Sequence, residues 1–225
     1  MTIDFHCHTS YSFDSWMNPR DVLRVAKSRG LDGIAITDHE TIRGAVHTEA
    51  INNDRYFTVI VGAEITTDVG DIIGLYLRHE IRSRAWQDVV KEIHDQGGLV
   101  YLPHPFRSHR LSEELLDSVD IVEIFNARTK PELNAPAMAL AQKHGKPMAV
   151  GSDSHFQLEI AQCKNILPSG DIRAELLAGR VTHESNYSPN YVSSASEVVM
   201  RWKLRQYSRL PGACSHFAAT YFGLK

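Results

Sequence analysis

Six short stretches of this chain place side chains that bind metals or move protons just after an apolar, β-branched run. They are His6-Cys7-His8, Asp38-His39, Glu64, His104, Asn126 and Ser152-Asp153-Ser154-His155. Imidazoles and carboxylates together are the usual nitrogen and oxygen ligands of divalent ions. Residues two apart on an extended strand share a side, so His6 and His8 can hold one ion. Asp4 would share that face and orient an imidazole from behind. Phe5 and Cys7 would point the other way, which makes Cys7 a packing residue rather than a soft ligand. Asp153 and His155 repeat the two-apart spacing, and Glu64 is a carboxylate able to bridge two ions. Two bridged ions lower the pKa of a shared water and clamp the attacking and leaving oxygens of a displacement, so the chemistry expected is hydrolysis. A lone His or Asp at a strand end is more often a turn residue or a helix cap. His47, His79, His94, His144, His183 and His216 read that way.

The elements that position these residues follow from periodicity. Strands are expected at 3–5, 33–37, 58–61, 72–77, 99–102, 120–125 and 147–150. Amphipathic helical stretches lie between most of them, as at 19–29, 85–96 and 133–144. Pro19 after Asn18 suits a first helical turn, and Gly30 suits its stop. The βαβα order argues for a parallel sheet wrapped by helices. Seven strands in this length favour a small α/β barrel over an open sheet. In such a barrel the strand ends share one face, where active sites form.

Composition narrows the function classes. The chain has 225 residues, 43% hydrophobic and 23% charged, with a formal net charge of −3. That balance points neither to nucleic acid nor to an anionic membrane, and no apolar run is long enough to span a bilayer. No signal peptide is expected, because the functional-looking residues begin at His6. Three widely spaced cysteines without a CxxC pair favour a reducing, cytoplasmic setting over a disulfide framework. After Asn186 the pattern changes. Ala195, Val198, Val199 and Trp202 recur at helical spacing among Arg201, Lys203, Arg205 and Arg209, and Pro211-Gly212 is expected to end that helix. The division expected is a catalytic barrel over 1–185 and a helical extension over 186–225 packed on it, rather than a nucleic-acid arm.

The runs Asp4-Phe5-His6-Cys7-His8-Thr9-Ser10-Tyr11-Ser12-Phe13-Asp14, Ile36-Thr37-Asp38-His39, Gly62-Ala63-Glu64, Pro103-His104-Pro105 and Gly151-Ser152-Asp153-Ser154-His155 resemble the polymerase-and-histidinol-phosphatase (PHP) superfamily. The resemblance covers about residues 1–185. It implies a distorted seven-stranded α/β barrel of TIM-like type, two or three divalent ions (manganese, zinc or iron), and usually the hydrolysis of phosphate esters. Carried over by position, His6, His8, Glu64 and Asp153 would hold a first ion. Glu64 and His104 would hold a second, with Asn126 at or near it, and Asp14, His39 and His155 a third. Asp14 stands where many members have His, which keeps a ligand and favours a harder ion. Asn126 stands where trinuclear members usually have His, and its amide oxygen is a poorer ligand.

The function expected is a metal-dependent phosphoesterase acting on a small metabolite or nucleotide through a water shared by two metals at Glu64. Arg107 and Arg128 follow ligand-bearing strand ends and can grip phosphate oxygens bidentately. His155 can support the leaving oxygen, and His109 is a weaker candidate for protonating it. The alternatives are an amide or carbamate-ester hydrolase, using the same metals on a carbonyl, and a metal-binding module without turnover. The apolar tail around Phe217, Tyr221 and Phe222 leaves a homo-oligomer open.

Overall fold

The computed structural model describes residues 1–168 and 170–223. Its strands are β1 Thr2–Cys7, β2 Gly33–Ile36, β3 Thr58–Thr67, β4 Gly70–Leu75, β5 Leu99–Leu102, β6 Ile121–Asn126, β7 Met148–Gly151, β8 Cys163–Ile166 and β9 Thr182–Ser185. Its α-helices are α1 Pro19–Ser28, α2 Arg43–Ile51, α3 Trp86–Asp95, α4 Glu113–Ser118, α5 Pro131–Asn134, α6 Ala137–Lys143, α7 Ile172–Leu177, α8 Tyr191–Lys203 and α9 Leu210–Phe222. The strands form one sheet in the order β7-β6-β5-β4-β3-β2-β1-β8-β9.

Strands β1 to β7 curl into a nearly closed barrel, the distorted seven-stranded architecture expected. Ile3, Phe5, Ala35, Ile60, Ile73, Leu75, Leu99, Tyr101, Ile121 and Ala149 form one buried cluster with a member from each of the seven strands. A single lumen shared by all seven requires a curled sheet. Alternate residues face outward: Ile34, Ile36 and Val59 pack with Val22, Val25 and Ala26 of α1, and Val100, Leu102 and Val122 pack with Val89 and Ile93 of α3. The Asn18 side chain caps α1 by accepting from Arg20 N, with Pro19 in the first turn.

The barrel closes between β7 and β1 through side chains instead of a full ladder. Asn165 of β8 donates from Nδ2 to Ile3 O at 3.1 Å and Val150 O at 2.8 Å, while its Oδ1 accepts from Val150 N at 2.9 Å. Asp4 works at the same seam. Its carboxylate accepts from Ser152 N and Ala161 N, both at 3.1 Å. This corrects the expectation that Asp4 orients a histidine. Ile3 and Phe5 share the lumen by ordinary alternation, but a bulge between Asp4 and Cys7 then breaks the alternation of β1, so Asp4 does not share the face that carries His6.

Three further expectations change. Strand β4 runs antiparallel to both β3 and β5, because the connection across Asp68 and Val69 is too short for a crossover helix. Strands β8 and β9 form an antiparallel annex on β1 whose short polar segments carry little periodic signal. Pro211 begins α9 instead of ending the preceding helix, since proline suits a first turn. The buried face of α8 carries Val192, Ser196 and Val199, while Trp202 is exposed. Among the described residues no helix is long and apolar enough to cross a membrane.

Candidate metal centre

The parallel strands deliver His6, His8, His39, Glu64, His104, Asn126, Asp153 and His155 to one end of the barrel, and the loop after β1 brings Asp14 to them. His6 Nε2 and His8 Nε2 lie 3.2 Å apart. His6 Nε2 is 3.6 Å from both Glu64 Oε2 and Asp153 Oδ1, and His8 Nε2 is 3.3 and 3.4 Å from the same two atoms. Tetrahedral ligation with bonds of about 2.1 Å would space its donors by roughly 3.4 Å, close to the spacing within the His6-His8-Glu64 trio. On the far side of Glu64, Oε1 is 3.0 Å from His104 Nε2. Asp14 Oδ2 is 2.9 Å from His155 Nε2 and 3.4 Å from His39 Nε2, and His39 Nδ1 is 3.2 Å from Glu64 Oε2.

The hydrogen bonds behind the ligands decide which nitrogens are free. His6 Nδ1 donates to Glu123 Oε1 at 3.0 Å, leaving the Nε2 lone pair to face the centre. His8 Nδ1 donates to Ser12 Oγ at 3.0 Å, and that hydroxyl donates onward to Asp38 Oδ1 at 2.7 Å. Two imidazole lone pairs and two carboxylate oxygens therefore converge in a buried space. They repel one another unless a cation lies between them. His39 Nδ1, Glu64 Oε2, His104 Nδ1 and Asp14 Oδ1 are buried without a hydrogen-bond partner, which also fits ligation. Among the described residues, four groups of three His, Asp or Glu side chains have donor atoms within 4.8 Å of one another: His6-His8-Glu64, His6-His104-Asp153, His8-His39-His155 and Glu64-Asp71-His104.

With protons as the only cations, the centre is strongly polarised. Burial lowers the pKa of His6, but Asp153, Glu123 and Glu64 outweigh it and hold the imidazolium well above its usual range. His8 is also pushed down by burial, and hydrogen bonds to Asp153 and Glu64 carry it up to about 9. Burial would raise Glu64 and Asp153, yet neighbouring His6 holds both carboxyls well below their usual range. His155 is the exception, because burial and the Arg128 guanidinium press it down to about 4.

Backbone strain accompanies the ligands. His104 and Asp153 adopt φ of 30° and 52°, in the left-handed region that costs about 1–3 kcal/mol for such residues. Gly151 has a different constraint: a Cβ there would lie 2.0 Å from Glu123 Oε1 and 2.7 Å from His6 Cβ.

The remaining expected residues are placed as follows. Asn126 lies at the centre, but its Oδ1 accepts from Arg128 N at 3.0 Å and Thr129 Oγ1 at 3.2 Å. It turns Nδ2 toward Glu123 Oε2 and Asp153 Oδ2, at 3.0 and 3.3 Å. Arg107 pairs with Asp153 Oδ2 at 3.0 Å and keeps 36% of its side chain exposed. Arg128 is more committed, donating to Val192 O and Ser196 Oγ of α8 and lying 3.3 Å from Glu159 Oε1. Arg128 Nη1 also approaches His155 Nδ1 at 2.6 Å, while Asp153 O lies 2.8 Å from the same nitrogen. One nitrogen cannot donate to the carbonyl and accept from the guanidinium together, so the two contacts mark two tautomers of His155. His109 is engaged by the backbone, with Nε2 at 2.8 Å from Asp71 O and its ring 5.6 Å from that of His104.

Several contributing residues carried no sequence assignment. Glu123 was detectable as a lone charge inside the apolar run Ile121–Asn126. Its carboxylate takes four donors: His6 Nδ1, Tyr101 OH, His104 N and Asn126 Nδ2. Glu159 accepts from His155 N and Phe156 N. Lys203 of α8 donates to the carbonyls of Ser10, Ser12 and Ser15 at 2.7, 2.5 and 3.0 Å, gripping the loop that carries Asp14. Lys203 has no local signature, because its partners lie far away in the chain, whereas the two backbone donors of Glu159 are only three and four residues before it.

The PHP domain pattern matches residues 4–165, most of the chain and the whole ligand set. The chain belongs to the PHP domain family. This PHP protein is 39% identical over 141 residues to the uncharacterized protein MJ1587 of Methanocaldococcus jannaschii, covering 56% of this chain and 82% of that one. Its fold matches a two-domain protein from Bacteroides vulgatus, described as containing a predicted PHP-like metal-dependent phosphoesterase, with a TM-score of 0.67 at 19% identity. That match covers 83% of this chain and 65% of the Bacteroides protein. A structure from Chromobacterium violaceum, described as an amidohydrolase with bound sulfate and no metal, matches with a TM-score of 0.61 at 18% identity, covering 80% of this chain and 97% of that one.

Proposed function

We propose that the chain is a metal-dependent phosphoesterase acting on a small phosphorylated metabolite or nucleotide. The observation that carries this reading is the cavity beside the ligand set. About 480 Å³ in volume, it is lined by Asp14, His39, Asp153 and His155 together with Arg107, Arg128 and Lys130. Cationic side chains beside metal ligands suit a dianionic ester, whereas an amide or carbamate ester would offer them no charge to meet.

In this reading His6, His8, Glu64 and Asp153 hold one ion, Glu64 and His104 a second, and Asp14, His39 and His155 a third. The mixed imidazole and carboxylate donors suit manganese, zinc or iron. Bound there, the ions supply Lewis acidity and a water of lowered pKa. Arg107, whose guanidinium is only partly engaged by Asp153, grips phosphate oxygens. Arg128 fixes His155 and the inner face of α8, and Lys130 adds charge at the rim. His155 stays neutral near pH 7, which suits a ligand more than a proton donor. Asn126 acts through Glu123 and Asp153, orienting the carboxylates instead of ligating. The α8–α9 extension forms one wall of the cavity through Ser193, Ser196, Glu197 and Met200. Free thiols at Cys7, Cys163 and Cys214 favour a reducing, cytoplasmic setting.

The test is a panel of phosphomonoesters, nucleotides, amides and carbamate esters assayed with added Mn²⁺. Release of phosphate, with Arg107→Ala raising KM for the best substrate, supports the proposal. Turnover of only the carbonyl substrates would transfer the site to the amidohydrolase reading.

A further inference from the structure

The expectation drawn from strand ends overlooked what an antiparallel strand does. Six parallel strands bring their C-terminal ends to the mouth of the barrel. Strand β4 runs the other way, so its N-terminal residues lie there. Thr66, two residues beyond Glu64 on β3, pairs with Asp71 of β4, just as Glu64 pairs with Ile73. Since residues two apart share a face, Asp71 stands on the same side as Glu64 and Ile73, one step nearer the mouth.

Four observations converge on this carboxylate. A donor oxygen of Asp71 lies within 4.8 Å of donor atoms of both Glu64 and His104. His104 is buried, and its Nδ1 has no hydrogen-bond partner. The peptide of Asp71 is fixed from behind, because His109 Nε2 donates to its carbonyl and Gly70 (φ 124°) leaves no room for a Cβ beside the His109 ring. Finally, the amide oxygen of Asn126 is held by Arg128 N and Thr129 Oγ1 and does not face the second site. That site needs a donor beyond Glu64 and His104, and Asn126 does not supply one.

We infer that Asp71 is a ligand of the second metal ion, completing a Glu64-His104-Asp71 site in which an aspartate from the antiparallel strand does the work expected of residue 126. A carboxylate there makes the second site harder and more anionic than one closed by imidazole, favouring Mn²⁺ over softer ions. The inference rests on the centre being a metal site, and not on which ester is hydrolysed.

Asp71→Asn keeps the oxygen that accepts from Thr66 Oγ1 at 2.9 Å, so a merely structural role would survive the change. Titrating metal-free wild type and Asp71→Asn with Mn²⁺ by calorimetry reads binding directly, whatever the activity. The expected result is loss of one equivalent, or its weakening by at least roughly tenfold, with the His6-His8-Glu64-Asp153 equivalent retained. Identical stoichiometry and affinities in the two proteins would overturn the inference. A second measurement avoids any variant: in crystals of wild type grown with Mn²⁺, anomalous density should lie against the Asp71 carboxylate. Density against Asn126 Oδ1, with none at Asp71, would equally overturn it.

Discussion

Glu123 offers the sharpest test of how the lumen prepares the centre. The carboxylate is fully buried and accepts from four donors, two on each oxygen. Glu123→Gln keeps the shape and replaces one oxygen with an NH2. At the Oε2 position that group would face His104 N, which cannot turn, and Asn126 Nδ2, whose amide is held by Arg128 N. The NH2 therefore takes the Oε1 position, where Tyr101 can rotate its hydroxyl and His6 can change tautomer. His6 then accepts at Nδ1 and carries its proton on Nε2, the atom that faces Glu64 and Asp153. The ligand is lost without any side chain moving. Changes of this kind behind a ligand typically weaken metal binding about 10–100-fold, or roughly 1.4–2.7 kcal/mol. Loss of charge-assisted hydrogen bonds should also lower the stability of the metal-free protein by about 1–3 kcal/mol. Calorimetric titration with Mn²⁺, alongside thermal melts with and without metal, measures both. A folded Glu123→Gln protein that binds Mn²⁺ with wild-type affinity would refute the reasoning.

Other outcomes follow from the same geometry. Gly151→Ala places a methyl against Glu123 and His6, so it should impair Mn²⁺ binding at least as much as Glu123→Gln, read by the same titration. Lys203→Met removes a donor from three loop carbonyls; we expect about 1–3 kcal/mol of lost stability in denaturant melts and weaker binding of one ion, with the others unchanged. The metal-free protein should lose stability as pH rises. The folded pKa of His8, about 9, exceeds its ordinary 6.5, so its contribution is full below about pH 6.5 and is lost as pH climbs through 9. Bound metal replaces that proton, so the increase in Tm on adding Mn²⁺ should be larger at pH 9 than at pH 6.5; an equal or smaller increase would count against the assignment.

Much of this was legible in the sequence because parallel strands translate order into place. A residue just after a β-branched run in a βαβ pattern arrives at one mouth, so His6, His39, Glu64, His104 and Asp153 could be collected without coordinates. What escaped notice lay where that rule fails. Asp71 stands on β4, the one strand of the barrel that runs backwards. Asp4 left the ligand face because a single bulge shifts the alternation of β1. Glu123 was visible as an isolated charge in an apolar strand, but its meaning depends on four donors from separate elements. The grip of Lys203 on the Asp14 loop spans nearly the whole chain, and no local pattern encodes it. Strands β8 and β9 are short and polar, and carry too little periodic signal to be read as strands.

The central claim is that Glu64 joins metal ions that hydrolyse a phosphate ester. The most direct measurement is phosphate release by protein stripped with a chelator and reloaded with Mn²⁺, comparing wild type with Glu64→Gln and recording bound metal for both. The account predicts no release from stripped wild type, recovery on reloading, and no recovery in Glu64→Gln together with a reduced metal content. Release that persists after stripping, or an active Glu64→Gln protein with full metal, would contradict it.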